Sequence, residues 1–196
     1  MTGRDARGRL LGLHGKAGAG KSTIARELCA EGVAALLHFA SPIKACGRAV
    51  GLSEAQVNGD LKDTPCELLA GDTPRHFLQG IGEYLRATYG ARVVAGWTMV
   101  HAERLLAHGL DVVIDDVRLP SEAAAVWESQ GIVIELTGRE STKLDKRARE
   151  AVTEERLADR WLHERVSNQA QADVVARVVR HCWHDLIAHT GTSRAW

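Results

Sequence analysis

The chain has no excess charge, no long apolar run and no clustered cysteines, and each absence removes a class of function. Its 25 Lys and Arg residues balance 25 Asp and Glu residues for a formal net charge of zero. The composition therefore lacks the broad electrostatic field of a nucleic-acid or anionic-membrane binder. No apolar run approaches the roughly 20 residues of a membrane span. The N-terminal MTGRDARGR is a short basic tail with no apolar signal core behind it, and the run that follows reads as a first strand. The four cysteines, Cys29, Cys46, Cys66 and Cys182, form neither a CxxC pair nor a metal-type spacing. Reduced thiols in a cytoplasm are expected, with Cys29 and Cys182 in or near the core. The nine histidines are scattered. His181 and His184 come nearest to ligand spacing, with only Asp185 close by, so zinc is not expected. There is no internal repeat, low-complexity tract or long linker, and 196 residues fit one domain with a sizeable core.

What is present is an alternation of short β-like runs with longer helical ones. Strands are expected at Leu10–Leu13, Ala35–Phe39, Val112–Asp115 and Ile132–Leu136, with a weaker one at Arg165–Ser167. Helices are expected at Ser22–Glu31, Pro42–Val50, Pro74–Tyr89, Arg92–His108, Pro120–Ser129 and Ala170–His189. Gly109 and Gly131 fit as helix stops, and Pro120 fits a first helical turn. The reading is an α/β domain, a parallel five-stranded sheet with helices on both faces.

Between the first strand and the first helix lies GKAGAGKST, Gly15 to Thr23. The pattern G-x-x-x-x-G-K-S is complete and sits in the strand–helix context that gives it meaning. Its glycines let backbone N–H groups turn inward around a polyphosphate, and the helix N-terminus adds a favourable dipole. Gly15, Lys16, Ala17, Gly18, Ala19, Gly20, Lys21, Ser22 and Thr23 are the expected ATP-binding set. Lys21 would reach the β- and γ-phosphates and Ser22 would hold Mg²⁺. The same loop serves kinases, ATPases and GTPases, so it does not choose the reaction.

Three further stretches bear on that choice. In TPRHFLQGIGEYLRATYG, Thr73 to Gly90, an apolar stripe of Phe77, Ile81, Leu85 and Thr88 opposes a polar face of Arg75, Gln79, Gly82, Glu83 and Arg86. That face suits an acceptor site, or it is a solvated face with tolerated glycines. Gly80 and Gly82 each cost a helix roughly 1 kcal/mol relative to Ala, which suggests a close approach to the backbone. In LDVVIDDVRLPSE, Leu110 to Glu122, apolar residues run into Asp115 and Asp116 at a strand end, where α/β folds bind ligands. Asp115 or Asp116 could hold Mg²⁺ through water, and Arg118 could grip a phosphate in bidentate fashion. From Gly138 to Arg165 cations and anions mix through a helical pattern. It reads as a solvated helix pair or as a mobile lid carrying Arg139, Lys143, Lys146, Arg147 and Arg149.

Taken in order, GKAGAGKST, FASPIK at Phe39–Lys44, TPRHFLQGIGEYLR, Trp97 and VIDDVRLPSEA at Val113–Ala123 resemble the bacteriophage-type deoxynucleoside monophosphate kinases, a branch of the P-loop nucleoside monophosphate kinase fold. The resemblance covers roughly residues 10 to 140. It implies a single P-loop kinase domain over 1–196, with a helical acceptor-binding region at about 41–108 and a lid at about 139–164. It implies transfer of the ATP γ-phosphate to a dNMP in the host cytoplasm, with Mg²⁺ as cofactor. Residue by residue, Arg75 resembles the acceptor-site arginine, Gly82 and Glu83 occupy the helix positions lining that site, Trp97 resembles an aromatic of the same pocket, and Asp116 and Arg118 match a D-x-R pair at the strand end. Lys44 is a further phosphate contact on this reading. The family commonly has a small hydroxyl residue where this chain has Glu83, so base recognition would differ, with the carboxylate meeting a base amino group.

The implied dNMP-binding set is thus Lys44, Arg75, Gln79, Gly82, Glu83, Arg86, Trp97, Asp116 and Arg118. The implied catalytic set is Lys21, Arg75, Asp116, Arg118 and Arg139. An acceptor phosphate is already anionic near neutral pH, so positioning and charge neutralisation replace a strong base. Asp116 would orient Arg118, hold Mg²⁺ through water or contact the deoxyribose. Two rivals remain: another small-molecule P-loop kinase, such as one acting on dephospho-coenzyme A, and an ATPase or switch module acting through a partner. The apolar C-terminal VVARVVRHCWHDLIAH reads as a core helix, with a homodimer surface as the alternative.

Overall fold

Leu10–His14 forms β1, the central strand of a five-stranded sheet in the order β2-β3-β1-β4-β5. The computed structural model describes residues 7–30, 32, 34–137, 157 and 159–190, the last five by backbone alone. The strands are β2 (Ala34–Leu37), β3 (Asp111–Ile114), β4 (Ile132–Thr137) and β5 (Glu164–Ser167), and every pairing is parallel. The helices are α1 (Lys21–Cys29), α2 (Ser41–Ala49), α3 (Glu54–Val57), α4 (Pro74–Tyr89), α5 (Val93–Ala107), α6 (Pro120–Glu128) and α7 (Ala172–Thr190).

The chain divides into two compact units. The first comprises residues 1–38 and 99–196 and holds the whole sheet. Strand β1 pairs on both edges, Leu11 with Val113 of β3 and with Ile132 of β4, and all its residues are buried. That double burial is why its sequence is a continuous apolar run rather than an alternation. Leu11, Leu13, Ile132, Ile134 and Leu136 meet Ile24, Ala25 and Leu28 of α1 and Val175, Val179 and Trp183 of α7 in one core. On the opposite face α6 lies close to β1. A Cβ on Gly12 would come within 2.8 Å of Val117 and 3.4 Å of Val126, so only glycine admits that contact. Arg9 ties the entry of β1 to β3 through a two-point bond with Asp111 and also reaches His184 on α7. Cys29 and Cys182 pack against the core, and burial pushes both thiols up.

The second unit, residues 39–98, contains α2, α3, α4 and the first turns of α5. Here α2 and α4 interlock through a reciprocal pair of glycines. Leu78 of α4 sits over Gly47 of α2, and Ile43 of α2 sits over Gly82 of α4. Helix α4 begins after Thr73, whose hydroxyl accepts the His76 N–H, and carries Pro74 in its first turn.

The six expected helices and five expected strands are all present, with ends displaced by a residue or two. Strand β2 stops at Leu37 rather than Phe39, and α7 starts at Ala172 rather than Ala170. Three elements of the second unit were not expected: α3 and the 3₁₀ turns Asp60–Asp63 and Glu67–Leu69. All are too short to show a period. Helix α3 did carry a sign, the Ser53–Gln56 capping box, now seen with both of its hydrogen bonds. Among the described residues no helix is long and apolar enough to cross a membrane.

Candidate active site

The loop after β1 is shaped by three glycines with positive φ: Gly15 at 139°, Gly18 at 81° and Gly20 at 82°. Side chains rarely adopt this region. At Gly15 space forbids one as well, since a Cβ would lie 2.6 Å from the Leu136 carbonyl oxygen. Helix α1 leaves this loop with Gly20 as its N-cap, no side-chain cap and no acidic residue in its first turn. Helices α3 and α4, by contrast, are capped by Ser53 and Thr73. The N-terminus of α1 thus carries no capping side chain, which suits an anionic ligand. Lys21 is half-buried and its ammonium donates to the Gly15 carbonyl and to the Lys16 carbonyl at 2.9 Å, folded over the loop it serves. Ser22 and Thr23 are exposed at the helix start, where a cation or phosphate can reach them.

At the carboxyl ends of β2 and β3, His38, Asp115 and Asp116 converge. One ligand atom from each lies within 4.8 Å of the others, the spacing of a cation-binding group. Asp115 is 3% exposed and accepts a short bond from His38 Nδ1. Two carboxylates suit a hard divalent cation such as Mg²⁺ or Mn²⁺, while the imidazole, a ligand for softer ions, is engaged with Asp115 through Nδ1. His38 escaped the sequence reading because it stands alone, 77 residues from its partners. The signal that could have found it is topological, since β2 and β3 are sheet neighbours.

The turn from Val117 to Leu119 is held from two sides. Buried His14, at the end of β1, donates from Nδ1 to the Val117 carbonyl at 2.9 Å. Glu122 accepts the N–H groups of Arg118 and Leu119 at 2.8 and 3.0 Å. Burial pushes the Glu122 carboxyl up to about 7. The two N–H bonds and Arg118 pull the other way, and Asp116 adds to the rise. The Arg118 side chain stands exposed on this braced turn, open to an anion. His14 and Glu122 were both missed, for their roles are to hold backbone rather than to match a motif.

Of the expected acceptor residues, Lys44, Arg75, Gln79, Gly82, Glu83, Arg86 and Trp97 lie in the second unit, mostly on α4, while Asp116 and Arg118 belong to the first. Arg75, Gln79 and Arg86 are half-buried, Gly82 is buried and Glu83 is exposed. Arg75 is gripped by Asp63 through Nε and, at 3.1 Å, through Nη2. A bound phosphate would compete with Asp63 for that guanidinium fork. The close approach at Gly82 is to Ile43 and to the Arg86 guanidinium, which a Cβ would meet at 2.9 and 3.0 Å. Gly80 differs: among the described residues nothing lies within 4 Å of a Cβ there, so the close approach expected of it is not seen among them. Thr88 is exposed and does not extend the apolar stripe, which Leu78 joins instead. Lys44 is half-buried on α2, and Trp97 is 46% exposed on α5. Arg139, Lys143, Lys146, Arg147 and Arg149, with most of the expected lid, lie outside the described residues.

No protein-family model matches the chain and no curated protein matches it. Solved structures do. An APS kinase of Mycobacterium tuberculosis, solved with AMPPNP and APS, superposes with a TM-score of 0.55 at 14% identity, covering 91% of this chain and 98% of that one. A shikimate kinase of Acinetobacter baumannii gives 0.47 at 14% identity, covering 96% and 97%. A thymidylate kinase of Candida albicans gives 0.42 at 13% identity, covering 92% and 93%. At such identities the first of these likenesses speaks to the fold alone. Joined to the parallel sheet and to the glycine loop between β1 and α1, it shows that this chain has the P-loop kinase fold.

Proposed function

We propose that the protein transfers the γ-phosphate of ATP to a deoxynucleoside monophosphate, giving ADP and a dNDP. The observation that carries the phosphotransfer half is the loop: three positive-φ glycines, an uncapped α1 and a lysine already folded onto the loop carbonyls. The acceptor half rests on the resemblance of the α4 and strand-end motifs, and on a helix that presents two arginines, a glutamine and a glutamate along one polar face.

In this reading Lys21 exchanges its carbonyl acceptors for β- and γ-phosphate oxygens when ATP binds. The N–H groups of the loop and of the first turn of α1 take the remaining phosphate charge. Ser22, Asp115 and Asp116 are the residues that would hold Mg²⁺, with His38 as a neighbouring donor, and the ion would neutralise charge on the transferring phosphate. Arg75 and Arg86 bind the acceptor phosphate, which needs no general base because it is already ionised. Arg118 supplies a further cation, and the braced Val117–Leu119 turn keeps it at the strand end. Gln79, Glu83 and Trp97 would contact the nucleoside, with Glu83 accepting from a base amino group. A lid over about 139–164, with Arg139 as its foremost cation, would exclude water.

The test is a panel of acceptors offered with ATP and Mg²⁺: the four common dNMPs, dephospho-coenzyme A and APS. Faster ADP formation with a dNMP than with either of the others is the expected result. Turnover with dephospho-coenzyme A or APS alone would keep the kinase and replace its acceptor.

A further inference from the structure

Asn168 follows β5 and is 1% exposed. Its backbone N–H donates to the Thr137 carbonyl at the end of β4, at 2.7 Å. Its side-chain Nδ2 crosses to the phosphate-loop candidate and donates to the Ala19 carbonyl. Gly20, the next residue of that loop, is packed so closely that a Cβ there would collide with the same Nδ2. The other end of the amide, Oδ1, is buried with no hydrogen-bond partner among the described residues.

These contacts fix the sense of both groups. Turning the Asn168 amide over would set Oδ1 against the Ala19 carbonyl, acceptor against acceptor, so the amide must face the loop with its N–H. In a trans peptide the carbonyl and the following N–H point in opposite directions. Anchoring the Ala19 carbonyl on Asn168 therefore turns the Gly20 N–H away from it. Gly20 stands at φ 82°, a conformation from which the Ala19–Gly20 peptide could rotate at little steric cost were it not held. Lys21 and the first turn of α1 follow directly, so the N–H of this one peptide stands immediately before those of the helix N-terminus.

We propose that Asn168 is a positioning residue for the phosphate loop: its amide holds the Ala19–Gly20 peptide with the N–H, not the carbonyl, offered to the bound polyphosphate. This rests on the phosphate-binding reading of Gly15 to Thr23. Asn168→Asp keeps the shape, removes the donor and puts a carboxylate against the Ala19 carbonyl. Asn168→Ala removes the donor without adding charge. The probes are inorganic tripolyphosphate and MgATP, followed by titration calorimetry, with the dNMP KM from the coupled assay.

Both variants should weaken tripolyphosphate and ATP by about tenfold or more, with Asp worse than Ala, while the dNMP KM shifts less than about threefold. The Asp variant should regain affinity as the pH falls, because a protonated carboxyl recovers an O–H donor for Ala19, and the Ala variant should not. A brace that merely supports the fold would lower stability and weaken phosphate and dNMP binding alike. Wild-type affinity for tripolyphosphate in folded Asn168→Ala, or equal losses for phosphate and dNMP, would overturn the proposal. Should the Asp variant fail to fold, the Ala variant decides. A wild-type protein that binds neither probe would instead overturn the phosphate-loop reading itself.

Discussion

The loop from Gly15 to Thr23 presents backbone, whereas helix α4 presents side chains, and the two regions are supported differently. Behind the loop stand buried groups: the Leu136 carbonyl against Gly15, and Asn168 against Ala19 and Gly20. Behind α4 the packing is thin. Only Pro74 and Gly82 of its residues are buried, and its polar side chains are engaged by surface carboxylates, Arg75 by Asp63 and His76 by Asp72. A site made of backbone needs particular conformations and therefore particular residues. A site made of side chains can be built from many residues, and the same arginine serves as well in a surface ion pair.

The contrast can be broken or sharpened by substitution. Lys21→Ala should have the largest effect, a loss of about a thousandfold or more in kcat, because it deletes a cation at the transferring phosphate. Unchanged turnover in a folded variant would remove the loop from the reaction. Arg75→Ala should come next. The KM for the dNMP should rise by about ten- to a hundredfold and that for ATP by less than about threefold. Equal rises would dissolve the division of labour between loop and helix. Asp63→Asn should act in the opposite sense, lowering the dNMP KM by a few fold as Arg75 is released to the ligand.

Glu122 offers a test by pH rather than by turnover. Its carboxyl is raised from the usual 4.5 to about 7 in the folded protein, so folding favours its protonated form. That contribution is complete below about pH 4.5 and is lost as the pH climbs through about 7. Glu122→Gln keeps an oxygen acceptor for the Arg118 and Leu119 N–H groups and cannot ionise. Relative to wild type its unfolding free energy should improve between pH 5 and pH 8, by roughly 2–3 kcal/mol. Parallel denaturant curves at the two pH values would contradict the burial of a charge at that turn.

The smallest effect separates two glycines of one helix. Gly80→Ala enters open space and should raise stability by about 0.5–1 kcal/mol without touching kinetics. Gly82→Ala must displace Ile43 and the Arg86 guanidinium, so it should gain less and should raise the dNMP KM. Thermal melts and acceptor kinetics on the pair would show whether Arg86 serves the ligand.

How much could be read from residues alone follows the same division. The sheet was legible because its strands are buried apolar runs, and the loop because backbone conformation left glycines at fixed spacing. Helix α4 was placed correctly from Pro74 to Tyr89, since Thr73, Pro74 and Gly90 mark its ends. Its glycines were not understood: Gly82 receives a side chain from α2, while Gly80 receives none from the described residues, and sequence spacing treats them alike. His14, His38, Glu122 and Asn168 escaped because each acts on a residue 3 to 149 positions away through the sheet or a turn. Asp63 escaped for another reason. It sits in a 3₁₀ turn with no periodic signature, and it faces Arg75 from 12 residues away.

The most direct measurement is ³¹P NMR of the purified protein with ATP, Mg²⁺ and a mixture of the four common dNMPs. The account predicts β-phosphate resonances of one or more dNDPs, growing in step with ADP and absent with Lys21→Ala. ADP accompanied only by inorganic phosphate, at a rate indifferent to the dNMPs, would contradict it and leave a nucleotide hydrolase on the same fold.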